Sequence, residues 1–195
     1  MRCCDFTPFV PNFLVGFALT DSTSQRILNE ISIERWHPLG LIPPAPKDPG
    51  RVCDFFDRNA KTCKSWVTRP SECSSYFCSK ELELQKSALK KEQLSAQSKI
   101  FFEFEFQLAQ QALLASGFSS KKVSQWTEEW NAWVNVSKAL SPDPWSLSLK
   151  DREEVYKTIW SWVRAHSWED LFNRVEKPLA IQVESEVEIG EGTLA

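Results

Sequence analysis

Beyond Lys80 the chain has no cysteine, and its whole length holds only six glycines, one methionine and two histidines. His37 and His166 stand far apart, so neither belongs to a paired-histidine metal motif, and no glycine-rich loop of the phosphate-cradling kind occurs. Long apolar runs are missing too. Phe6 to Leu19 is the one stretch to consider for membrane insertion. It falls short of the roughly 20 residues a spanning helix needs and is broken by Pro8, Pro11 and Asn12. Arg2 is the only positive charge ahead of it and no small-x-small cleavage site follows, so neither a secretory leader nor a membrane partner is expected, and the location expected is cytoplasmic. Charge of one sign is also lacking. With 23 basic against 26 acidic residues and a net charge of -3, the chain has no excess of Lys and Arg to neutralise phosphates, which removes nucleic acid as a first expectation.

What is present is a concentration of thiols. Four of the six cysteines lie in CDFFDRNAKTCKSWVTRPSECSSYFC, from Cys53 to Cys78, and the other two are the adjacent Cys3 and Cys4. At 195 residues the chain can bury a core without covalent staples. In a reducing compartment, clustered cysteines serve more often as metal ligands or redox thiols than as disulfides. The order C-x9-C-x9-C-x4-C contains no C-x2-C knuckle and matches neither ferredoxin run, so spacing points to a metal or redox cluster without naming the ion. Thiols buried as small hydrophobes are the plain alternative, and a secreted domain with two disulfides among the four later cysteines is another.

The register between the cysteines narrows this. Cys63 is followed three residues on by Trp66, then by the pair Arg69-Pro70, by Cys73 three residues after the proline, and by Tyr76, Phe77 and Cys78. This arrangement resembles the YkgJ-like cysteine cluster family, described as zinc- or iron-chelating domains. Cys53 with Phe55 and Phe56 looks like that family's preceding cysteine, and Cys3 with Cys4 like its double cysteine. The resemblance covers about the first 80 residues. It departs at Ser74, where an arginine is common, at Trp66, where a tyrosine is usual, and ahead of Cys3, where further cysteines often stand. It implies a metal site of Cys3, Cys4, Cys53, Cys63, Cys73 and Cys78 holding zinc or iron, including an iron-sulfur cluster. The larger flagellin lysine methylases share a similar cysteine pattern, which gives an iron-sulfur enzyme as the alternative; no acid-base pair supports catalysis here. Physically, Arg69 would offset the negative charge of clustered thiolates, Pro70 would hold the Arg69 backbone extended, and Trp66, Tyr76, Phe77, Phe55 and Phe56 would keep the sulfurs dry.

The expected fold is mainly α: an irregular cysteine-rich region over residues 1–80, a helical bundle packed on it over 81–178, and an acidic tail over 179–195, either an edge strand or disordered. Residues 1–20 read as an irregular buried segment, and Asp21 to Arg35 as a short amphipathic helix facing the cysteine layer. Trp36 to Gly50, with Pro38, Pro43, Pro44, Pro46 and Pro49, reads as an extended connector excluding helix and central strand. From Lys80 to Ser116 neither proline nor glycine interrupts good helix formers, so a long helix is predicted, bent or split near Ser95 to Ser98 and stopped by Gly117. Further helices follow Ser119 or Ser120, Ser148 and Ser167. Val123, Trp126, Trp130, Trp133 and Val134 share helical spacing, which reads first as core and secondly as a surface for a protein partner.

Overall fold

The structure, a computed structural model, describes residues 7–43, 53–64, 68–74, 88–136 and 144–175. Among these the architecture is mainly helical, with two small antiparallel sheets. No helix among them is long and apolar enough to cross a membrane.

The chain opens on β1 (Val10–Pro11) and enters α1 (Asn12–Thr20) directly, correcting the expectation of an irregular segment. Pro11 occupies the cap, where its missing N–H costs nothing. Phe13, Val15, Gly16, Ala18 and Leu19 are all buried, so α1 shows no polar face and hence no periodicity to read. It packs mainly on α6 (Leu149–Arg164), where Gly16 lets the two backbones meet: a Cβ there would collide with the Tyr156 carbonyl and stand 2.7 Å from Trp160 Cβ. Asp21 caps the next helix, α2 (Ser22–Leu28), by accepting from the Ser24 N–H at 2.8 Å, and α2 packs on α1. A 3-10 turn, Ile33–Arg35, follows.

Trp36 to Leu41 is the second correction. These residues form a buried hairpin of β2 (Trp36–His37) and β3 (Gly40–Leu41), and β3 is the centre of a three-stranded sheet in the order β1, β3, β2. Val10 and Trp36 both pair with Leu41, and Pro11 and His37 both pair with Gly40. Proline is tolerated because Pro38 lies in the turn and Pro11 on an edge. Gly40 is required, since its φ of +145° and its approach to the Val10 carbonyl leave no room for a side chain. The hairpin's carbonyls are satisfied from the far end of the chain. Tyr156 donates its hydroxyl to His37 O, Trp145 donates Nε1 to Trp36 O at 2.7 Å, and buried Arg152 donates Nη1 to the same Trp36 O at 3.4 Å and to Ile33 O, just ahead of the hairpin, at 3.3 Å. Residues 44–50 lie outside the described residues, as does the tail from 176 onward.

The long helix α4 (Ala88–Ala115) runs without a break through Ser95 to Ser98, and Gly117, at a φ of +91°, ends it as predicted. Leu108, Ala109, Ala112 and Leu113 are fully buried, while Phe102, Phe104 and Phe106 are half-buried. Along α5 (Ser120–Val136), Val123, Trp126 and Trp130 enter the core and Trp133 rests half-buried against Trp130. Ser148 caps α6 through the Asp151 N–H. Ser167 and Asp170 make a reciprocal capping box on α7 (Trp168–Arg174). One continuous hydrophobic core joins Phe9, the hairpin, α1 and α4 to α7.

Candidate metal centre

Of the residues singled out for a metal site, Cys3, Cys4, Trp66, Tyr76 and Cys78 fall outside the described residues. Cys53, Cys63, Cys73 and Arg69 fall within them, and the three cysteines are free thiols. Cys63 sits on a hairpin of β4 (Phe56–Asp57) and β5 (Thr62–Cys63), paired with Phe56. Its tip is closed by Asp57, whose carboxylate accepts from the Asn59 and Ala60 N–H groups at 2.9 and 3.0 Å and is held below its usual range by them. Lys64 N–H donates to Phe55 O at 2.7 Å and Phe56 N–H to Cys53 O at 2.9 Å, so the hairpin carries Cys53 at its root and Cys63 at its end.

This hairpin is tethered to the body of the protein through Asp54. Arg35 pairs with the Asp54 carboxylate, and the Thr7 hydroxyl accepts from Asp54 N–H at 3.2 Å. Cys73 lies on α3 (Ser71–Ser74), a single turn held from two sides. Arg69 donates Nη2 to Cys73 O at 2.7 Å, closing the Arg-Pro loop on itself. Glu105 of α4 accepts from Ser71 N–H at 2.9 Å and from Ser71 Oγ at 2.8 Å, tying the turn to the long helix.

The three thiols feel one another. Burial first, then the neighbouring Cys63, raises Cys53, while the Phe55 N–H and the Thr7 hydroxyl favour its thiolate. Cys73 is driven well above the thiol range by burial, then by Cys53 and by the Glu72 carboxylate, with Cys63 adding to them and Arg69 opposing. Segments ten residues apart thus come into one locality, where Cys53 and Cys73 stay protonated until something compensates their charge. Among the described residues, no set of three or more His, Cys, Asp or Glu side chains is drawn together closely enough to hold a metal ion.

Of the aromatics expected around the sulfurs, Phe55 is buried and Phe56 half-buried against the core, whereas Trp66, Tyr76 and Phe77 lie outside the described residues. Sequence reasoning missed Thr7, Arg35, Asp54, Glu72 and Glu105. Glu105 had left a signal, a carboxylate in the aromatic run FFEFEF of a half-buried helix face. Burial raises it to about 7 against the opposing hydrogen bonds from Ser71, with Glu72 adding to the rise. Glu72 is raised as well by burial, with the Phe9 N–H opposing. His37 is buried in the core, where its Nδ1 accepts from Leu39 N–H at 3.3 Å.

Comparison with protein-family models, with characterised proteins and with solved structures finds no match to this chain.

Proposed function

We propose that the chain is a metal-binding protein in which Cys53, Cys63 and Cys73, completed by Cys78 and by Cys3 or Cys4, hold zinc or iron, the latter as an iron-sulfur cluster. The observation that carries this reading is that three thiols from separate segments lie near enough for Cys63 to act on Cys53 and for both to act on Cys73, with Phe55 and Thr7 placed to favour one thiolate and Arg69 another. The residue register shared with YkgJ-like domains supports the same reading. Metal binding replaces the thiol protons, so a site of raised thiols releases protons on loading and binds more tightly as the pH rises. The role in this reading is that of a binding or structural centre.

Elemental analysis of protein purified without oxygen tests it. At least one equivalent of zinc or iron is expected, and its removal makes the thiols titratable. Less than about half an equivalent of any transition metal, with all thiols already reactive, overturns the reading. Colour divides the two ions: zinc leaves the protein colourless, whereas an iron-sulfur cluster absorbs at about 400 nm and bleaches with dithionite.

A further inference from the structure

Cys73 sits in a loop closed by local bonds. Its N–H donates to Pro70 O at 3.0 Å, and its carbonyl accepts from Arg69 Nη2 at 2.7 Å. Such bonds shape the loop but do not fix where it stands relative to Cys53 and Cys63. That placement comes from α4. Both oxygens of the Glu105 carboxyl accept from Ser71 N–H, at 2.9 and 3.1 Å, and Ser71 Oγ adds a third bond at 2.8 Å. We infer that Glu105 is the positioning residue for Cys73, and that its clasp on Ser71 sets how fast a metal held at the thiols is released. The statement about release rests on the metal reading; the placement of Cys73 does not.

The turn needs an outside acceptor. A helix of four residues satisfies few of its own N–H groups, and Pro70 ahead of it has none to offer. A carboxyl group answers this with two oxygens that accept at once. Glu105 is also well anchored. It stands within the 28-residue α4, and Leu108 and Ala109, the next residues on its side of the helix, are fully buried, so the clasp is fixed to the core. Its own half-burial limits the competition from water. Ser71 is only two residues from Cys73, so a shift at the clasp carries to the thiol with little loss. The turn has a second tie in Glu72, whose carboxylate accepts from Phe9 N–H. Removing Glu105 therefore loosens the turn rather than freeing it. Glu103, two residues earlier and on about the opposite side of α4, gives a matched control.

Alkylation of the full chain stripped of metal, followed peptide by peptide, reads the placement of Cys73. Glu105→Ala is expected to raise the rate at Cys73 relative to Cys63 by about fivefold or more at unchanged helix content. Glu105→Gln, which keeps an acceptor for Ser71 N–H, is expected to restore the native ratio, and Glu103→Ala to leave it untouched. Transfer of zinc from the loaded chain to a chromophoric chelator reads the release, expected to run about tenfold faster in Glu105→Ala and near the native rate in Glu105→Gln. A ratio unchanged by Glu105→Ala, a rise shared equally by both thiols, or zinc release at the native rate overturns the inference. A chain that takes up no zinc and no iron overturns the metal reading instead, and the alkylation ratio alone then decides whether Glu105 places Cys73.

Discussion

Two titratable side chains, buried His37 and half-buried Glu105, give this protein opposing responses to pH. Burial pushes His37 from 6.5 down to about 3; its Nδ1 accepts from Leu39 N–H, and among the described residues its Nε2 has no partner that would compensate an imidazolium. The unfolded chain takes up a proton below 6.5 that the folded chain refuses, so stability falls as the pH drops from about 6.5 towards 3, by on the order of 4 kcal/mol. Glu105 acts in the other direction. With its carboxyl raised to about 7, the folded chain keeps a proton that the unfolded chain loses near 4.5. Its contribution is therefore fully present below about 4.5 and is lost as the pH rises through about 7, an effect of about 2 kcal/mol after allowance for partial exposure. Urea unfolding from about pH 4 to 8 separates them. His37→Asn, which keeps an acceptor for Leu39 N–H, flattens the acid limb. Glu105→Gln, which keeps an acceptor for Ser71, flattens the limb towards neutrality. A profile unchanged in both variants refutes the assignment.

Among the elements, the junction of α1 with α6 depends on the absence of a side chain at Gly16. A methyl group there meets the Tyr156 carbonyl and Trp160 Cβ, neither of which can move without shifting α6. Gly16→Ala is expected to cost about 2 kcal/mol or more in urea unfolding, although alanine is the better helix former. A neutral or stabilising result would show that the helices separate freely. The same junction explains which elements were legible from sequence. The helices α4 to α7 carried periodic stripes, and α5 to α7 serine caps as well, because each keeps a wet face. With every neighbour apolar, α1 lacked that contrast. The hairpin Trp36 to Leu41 was masked by its prolines, which exclude long strands but not strands of two residues. At the candidate centre, the cysteines and Arg69 stood out because their chemistry is local in sequence. Thr7, Asp54 and Glu105 did not, because they reach the site from segments 34 to 47 residues away from their partners.

For the whole molecule, the question is whether the thiol centre organises the fold or is carried by it. The core is built from Phe9, the hairpin, α1 and the long helices, with Cys53, among the described cysteines, the one inside it and Cys63 packed at its margin. Cys73 belongs to a single turn held by Arg69 and Glu105 rather than by core packing. A chain of 195 residues buries enough apolar surface to fold without a metal clip, unlike a small finger domain. Chelation under reducing conditions is therefore expected to leave the helical circular dichroism and cooperative unfolding in place. It is expected to lower the melting temperature by the linkage to metal binding alone and to raise the alkylation rate of half-buried Cys63 well above that of buried Cys53. Loss of cooperative unfolding on chelation would reverse the order of dependence, making the centre the organiser and the helical core its dependant.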